Sequence, residues 1–176
     1  MEIVNEDIKL RNLKDKEEEY KLIHKWCEKK DVYEWFEQRI LSYDEIMSKY
    51  KNKLYNSDQT VLIIEYNNKP IGLLQFYKYD DDLDYIKEYK NIYEYDLFIG
   101  EDLYSKGIGK KIVNTIDNYL FNNGIDLIIL RPFKRNKRAI KCYLGCGYKI
   151  KYEYLGKDTL GNDEEYVFMI KQLENR

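Results

Sequence analysis

Apolar and polar positions alternate at the start of the chain. Ile8, Leu10 and Asn12 stand against Asp7, Lys9 and Arg11, and this period of two predicts a half-buried strand over residues 3–13. The spacing then becomes helical: Asp15 is placed to cap a helix to about residue 28, with Tyr20, Ile23, Trp26 and Cys27 turned inward. Shorter helical pieces follow at 32–40 and, behind a cap at Ser42 or Asp44, up to residue 53. Residues 61–66 and 71–77 read as strands joined by the turn Asn67-Asn68-Lys69-Pro70. A polar connection, 80–89, leads to a strand rich in aromatic and β-branched residues at 93–99. Ile108, Ile112, Val113, Ile116, Tyr119 and Leu120 then share one helical face, and Asn122-Asn123-Gly124 ends that helix. Residues 125–130 are almost continuously apolar, as in a strand covered on both sides. Asn136 caps a short helix ending at 145–147, and strands at 148–155 and 165–172 follow. The predicted order is β-α-α-β-β-β-α-β-α-β-β. No linker or repeat divides it, so residues 1–176 are expected to form a single domain.

The stretch around which this pattern is organised is the 93–99 strand, its following turn and the helix opened by Ser105-Lys106-Gly107-Ile108-Gly109-Lys110. The first N–H groups of a helix have no intrahelical partner, and its dipole is positive there. Glycines admit a phosphate close to such a backbone, and Lys106 and Lys110 add positive charge. Two common phosphate motifs are excluded. A P-loop needs G-x-x-x-x-G-K-[ST], but Ser105 stands five residues after Gly100, and Gly107 follows Lys106 where a hydroxyl is required. A dinucleotide fingerprint would put glycine at Ile112.

Composition narrows the classes. The 176 residues are 44% hydrophobic, enough for a full core. Thirty basic residues balance 32 acidic ones, so no net charge directs the chain to nucleic acid or to an anionic membrane. The N-terminal MEIVNEDIKL lacks the basic and apolar regions of a signal peptide, and no apolar run has membrane-spanning length. Cys27, Cys142 and Cys146 make no even disulfide framework, and with His24 alone they form no zinc set. A cytoplasmic, reduced, metal-free protein is expected. Its 19 tyrosines are attributed to compositional drift toward Tyr, Lys, Ile and Asn.

Tyr104-Ser105-Lys106-Gly107-Ile108-Gly109 resembles the acetyl-CoA pyrophosphate loop of the GNAT superfamily of N-acetyltransferases, Q/R-x-x-G-x-G/A, with Tyr104 in place of Gln or Arg. Asn136-Lys137-Arg138-Ala139-Ile140-Lys141-Cys142-Tyr143, followed by Gly147-Tyr148, is similar to the family's N-x-R-A-I-x-x-Y…G-F/Y segment at the usual separation. The resemblance implies a mixed, mostly antiparallel central sheet flanked by helices, with acetyl-CoA as cosubstrate and no metal. Tyr95-Asp96-Leu97-Phe98-Ile99-Gly100 is similar to the D-Q-F-I-G stretch of the aminoglycoside 6′-N-acetyltransferases. Further agreement lies in Lys25-Trp26, Ile64 to Asn68, Pro70-Ile71-Gly72 and Gln75-Phe76-Tyr77. One departure is Arg131, in Leu130-Arg131-Pro132, where that family often carries an acidic residue facing the drug's amines.

Acetyl transfer from a thioester to an amine needs a neutral amine, a polarised carbonyl and a proton for the departing thiolate. An ammonium of pKa about 10 benefits from a carboxylate that receives its proton. Asp96 precedes the glycine loop on the organising strand, and the resemblance assigns it as base or amine anchor. The resemblance also implies that Tyr143 is the proton donor at sulfur. By the same resemblance Asn136, Ala139 and the loop from Tyr104 to Lys110 contact the cofactor. Backbone N–H groups at Leu97, Phe98 and Ile99 would bind pantetheine and the developing oxyanion if the strand is splayed there. Candidates for the acceptor site are Trp26, Trp35 and Tyr77 as aromatic walls, with Glu94, Asp96 and Arg131 as charged groups. Acidic clusters at Asp80, Asp81, Asp82 and Asp84 and at Asp163, Glu164 and Glu165 would draw a polyamine, although most such charges simply solvate a surface. The leading reading is direct attack on the thioester by a primary amine of a small polycation, an aminoglycoside 6′-amine above all. The alternatives are a peptide, protein or other small amine as acceptor, and a non-catalytic acyl-CoA-binding module. Arg131 poses the specific question: either a carboxylate such as Glu94 neutralises it, or the acceptor carries an acid of its own.

Overall fold

The computed structural model describes residues 1–80, 86–103 and 107–173. Tyr104, Ser105 and Lys106 of the expected cofactor loop, and Asp81, Asp82 and Asp84 of the first acidic cluster, lie outside the described residues. The named elements are β1 (Glu2–Asn5), β2 (Ile8–Asn12), α1 (Glu17–Cys27), α2 (Lys30–Tyr33), α3 (Tyr43–Asn56), β3 (Thr60–Tyr66), β4 (Lys69–Lys78), β5 (Ile92–Ile99), α4 (Ile108–Asn122), β6 (Leu127–Leu130), α5 (Lys137–Leu144), β7 (Lys149–Lys157) and β8 (Asp163–Gln172). The strands form one eight-stranded sheet in the order β1-β2-β3-β4-β5-β6-β8-β7. β5 and β6 pair in parallel, and every other pairing is antiparallel.

The opening departs from the sequence reading. The single expected strand is a hairpin, with β1 paired to β2 through a turn in which Glu6 takes a left-handed φ of 54°. Period-two alternation continues across so short a turn, so the pattern alone does not reveal the reversal. Asp15 does not cap α1. Lys16 is the N-cap residue, and the Asp15 carboxylate instead accepts from the Tyr20 and Tyr55 hydroxyls, both at 2.7 Å. The piece expected at 32–40 is helical only as the single turn of α2, whereas α3 has a full capping box: Ser42 Oγ accepts from the Glu45 N–H, and Glu45 accepts from the Ser42 N–H. Asn67 and Asn68, with φ of 50° and 60°, make the two-residue turn of the β3–β4 hairpin, and β4 already begins at Lys69.

Alternation along β5 divides the interior. Tyr95, Leu97 and Ile99 pack with β3 and β4 residues under the apolar faces of α4 and α5, around Ile112, Val113, Ile116 and Ile140. Phe98 points to the opposite face and joins the core of α1 and α3 around Tyr20, Ile23, Trp26 and Tyr50. Further along that second face Ile92 belongs to a separate cluster with Ile129, Phe168 and Ile170. Between these two clusters β4 and β5 place Gln75, Tyr77, Glu94 and Asp96 side by side, with Gln75 opposite Asp96 and Tyr77 opposite Glu94. A polar break thus crosses an otherwise apolar face. At the same level the β5–β6 ladder stops: its last pair is Glu94 with Ile129. From Tyr95 onward the edge of β5 turned away from β4 opens onto a cleft.

Candidate active site

The cleft has a volume of about 920 Å³ and runs from the N-terminus of α4 to the segment after α2. One end is built mainly of backbone. Gly107, in the left-handed region at φ 72°, is the N-cap of α4, and among the described residues no side chain caps this helix start. Its first turn carries no acidic residue, and Gly107, Ile108, Gly109 and Lys110 line the cleft. A helix start of this kind presents unpartnered N–H groups and a positive dipole end. Asn136, the N-cap of α5, and Ala139 and Tyr143 within α5 line the same cleft. The Asn136 Oδ1 accepts from the Ala139 N–H at 3.1 Å, so part of this side chain caps its own helix. The open edge of β5 contributes Leu97, Phe98 and Ile99 to the wall. The Phe98 ring itself packs edge-on against Phe36 and Trp26 in the core.

The other end is built of side chains. Asp96 lines it, and its Oδ2 accepts from Gln75 Nε2 and from the Tyr77 hydroxyl, each at 3.2 Å. Burial, with the nearby Asp96 charge, raises the Tyr77 phenol well above its usual range, so Tyr77 stays a donor. Arg131 also lines this end and makes a bidentate pair with Glu94, Nε to Oε1 at 2.8 Å and Nη2 to Oε2 at 2.6 Å. Burial opposes the Arg131 charge, but the Glu94 bonds outweigh it and hold the guanidinium charged. Lys49 pairs with Glu37 in the same wall. Trp35, Phe133 and Tyr166 form an aromatic side, with Phe133 centred 6.2 Å from Trp35 and 5.0 Å from Tyr166. The β7–β8 turn closes over this end. Thr159 Oγ1 donates to the Glu37 carbonyl at 2.8 Å, and the Thr159 N–H to Gln38 Oε1 at 3.0 Å.

Tyr143 lies between the two ends. Burial first, with the nearby Asp96 carboxylate adding to it, raises its phenol well above the usual value, so the hydroxyl keeps its proton at neutral pH. The Tyr143 ring rests 5.9 Å from that of Tyr148, whose hydroxyl donates to the fully buried Asp117.

Of the residues expected to meet an acceptor, Trp35, Asp96 and Arg131 line the cleft. Trp26 does not. It is fully buried, and its ring lies so close to Gly100 that a Cβ there would come within 2.2 Å of it. Its indole N–H donates to Glu101 Oε1 at 2.8 Å, so Trp26 fixes the chain where it leaves β5. Tyr77 and Glu94 stand behind the wall, Tyr77 against Asp96 and Glu94 against Arg131. The sequence reading missed Phe133, Tyr166, Glu37, Lys49 and Thr159, and it missed Lys53, whose Nζ donates to Gln75 Oε1 at 2.5 Å. Nothing in their local spacing marks them, because they come from α3, from β8 and from three separate connecting segments.

The family model described as the acetyltransferase (GNAT) family matches residues 18–148. Three solved structures share the fold. An aminoglycoside acetyltransferase, AAC(6')-Ib, in complex with coenzyme A and kanamycin, has a TM-score of 0.75 at 22% identity over 94% of each chain. A spermidine N-acetyltransferase from Vibrio cholerae, in complex with coenzyme A and spermine, has a TM-score of 0.75 at 19% identity over 96% of each chain. A GNAT-family acetyltransferase from Bacillus anthracis has a TM-score of 0.80 at 15% identity over 99% of this chain and all of its own. With the sheet that parts beyond Glu94 and the glycine-led helix beside it, the chain belongs to the acetyltransferase (GNAT) family and is an acetyl-CoA-dependent acetyltransferase.

Proposed function

We propose that the protein transfers the acetyl group of acetyl-CoA to a primary amine of a small polycation, with an aminoglycoside 6′-amine as the leading acceptor. The charge arrangement around Asp96 supports this reading. Arg131 and Lys49 are engaged by Glu94 and Glu37, whereas the Asp96 carboxylate is held by the neutral donors Gln75 and Tyr77 and is left to pair with an ammonium. The pairing of Arg131 with Glu94 supports the first of the two alternatives posed for Arg131, in which a carboxylate neutralises it. Relatives with this fold hold kanamycin or spermine, both polycations.

Acetyl-CoA supplies an activated acyl carbon. The N–H groups at Gly107 to Lys110, together with the loop residues Tyr104, Ser105 and Lys106, hold the pyrophosphate. The open backbone edge at Leu97 to Ile99 holds the pantetheine arm and the carbonyl oxygen. Asn136 and Ala139 bound this groove from α5. Asp96 anchors the acceptor ammonium and receives its proton, directly or through a water. The Tyr143 hydroxyl gives its proton to the sulfur. Trp35 and the neighbouring aromatic rings shape the acceptor's seat.

The test is thiol release from acetyl-CoA in the presence of kanamycin, spermine and peptides with free N-termini. Kanamycin is expected to give the highest kcat/KM, with acetylation at the 6′-amine. Faster turnover of a peptide would replace the aminoglycoside with a peptide amine.

A further inference from the structure

Gln75 is 6% exposed and lies between Asp96 and a lysine that the mechanism leaves unused. Its Oε1 accepts from Lys53 Nζ at 2.5 Å, and its Nε2 donates to Asp96 Oδ2 at 3.2 Å. Partner chemistry fixes this orientation. An ammonium only donates and a carboxylate only accepts, so the amide oxygen must face Lys53 and the amide nitrogen must face Asp96. With no donor at Lys53, the amide is released to rotate, and its carbonyl oxygen would then meet the carboxylate.

We infer that Lys53 is a positioning residue for Asp96, locking the Gln75 amide so that one carboxylate oxygen is always held by an N–H. The inference rests on Asp96 being the acceptor-side carboxylate. The surroundings make Lys53 responsive to pH. It lies on α3 beside Lys49 and over the Tyr50 ring, and it faces Glu37 from the segment after α2, Asp96 from β5 and Tyr77 beside Asp96 on β4, with Cys27 of α1 behind Tyr50. Burial and the Lys49 charge lower its ammonium to about 8, although Asp96 and Glu37 favour the charge. The lock is therefore firm at neutral pH and weakens as the medium becomes more basic.

The deciding measurement needs no acceptor. In ¹⁵N-labelled protein the Gln75 side-chain amide resonance should titrate with a midpoint near pH 8, should become independent of pH across that range in Lys53→Met, and should still titrate in Asp96→Asn. A Gln75 resonance with the same titration in Lys53→Met as in the parent would overturn the inference. With kanamycin as acceptor, Lys53→Met should lower kcat/KM about tenfold, the effect of one net hydrogen bond. The KM for acetyl-CoA should stay at the parental value. Lys53→Arg should restore the rate and move the basic limb of the pH profile upward. In a Gln75→Leu background Lys53→Met should cost little more, because its effect passes through Gln75. A full tenfold loss in that background would make Lys53 a general structural residue and sink the idea. Should kanamycin not be acetylated, the aminoglycoside reading falls while the amide titration still judges Lys53. A parental rate in Asp96→Asn overturns both.

Discussion

The two ends of the cleft are built on different principles. Among the described residues the α4 end is a matter of backbone: a left-handed glycine, a helix start without a capping side chain and a strand edge that no further strand pairs. The Asp96 end is a matter of side chains from β4, β5, α3, the segment after α2 and the β7–β8 turn, held by pairs such as Glu94 with Arg131 and Glu37 with Lys49. A backbone site serves one constant ligand with few residue choices. A side-chain site is altered one residue at a time, and acceptor specificity is expected to reside there.

Substitutions confined to one end should leave the other intact, and the largest effect is expected at the carboxylate. Asp96→Asn should lower kcat on the order of 10²–10⁴-fold, as for loss of a general base. Acetyl-CoA affinity, measured by calorimetry, should not change. Loss of both would mean that the two ends are not separable.

Gly107→Val should do the reverse. Among the described residues, its chain neighbours aside, no atom lies within 4 Å of an added Cβ, so the penalty arises from forcing a β-branched residue to φ 72°. A strain of about 1–3 kcal/mol corresponds to roughly 5- to 150-fold weaker acetyl-CoA binding. At saturating acetyl-CoA the acceptor KM should stay near the parental value, and steady-state kinetics in both substrates reads the two effects apart.

Tyr143→Phe sits at the junction and should slow turnover about tenfold, less than Asp96→Asn because water replaces the phenol. Its pre-steady-state release of thiol should slow in proportion.

The smallest effect expected is on stability. Lys53 has a folded-state value of about 8 against an ordinary 10.5. Between these values the unfolded chain binds the extra proton, so stability rises with pH in that window, and below pH 8 the full penalty of the buried charge is present. Relative to Lys53→Met, the parent should gain on the order of 1–2 kcal/mol between pH 7 and 9.5, partial exposure reducing the full effect. Urea unfolding of both proteins across that range measures it. A parent that loses stability relative to the variant would show that Lys53 is held by its charge.

Much of the architecture was legible in the sequence because it depends on neighbours along the chain. The α4 periodicity, its stop at Gly124, the Asn136 cap and the buried run of β6 each follow from local spacing, and the structure has all of them. The family motifs lie on these same elements. Where the sequence misled, a second partner was at work. Asp15 had the composition of a cap, but two tyrosine hydroxyls take its carboxylate. Trp26 had the composition of a ligand wall, but its ring fills the space left by Gly100.

Asp96 and the glycine-led helix could be named from the sequence, since a motif carries both. That Arg131 is neutralised by Glu94, that Lys53 reaches Gln75, and that Thr159 closes over Glu37 and Gln38 could not be read there. The partners in these contacts stand between 22 and 122 residues apart. The sequence alone determined where a glycine opens a helix behind a strand, because that depends on φ, glycine and apolar spacing over a few residues. Only the tertiary structure decided which charges remain for an acceptor, because a charge is cancelled by whatever lies within a few ångströms in space.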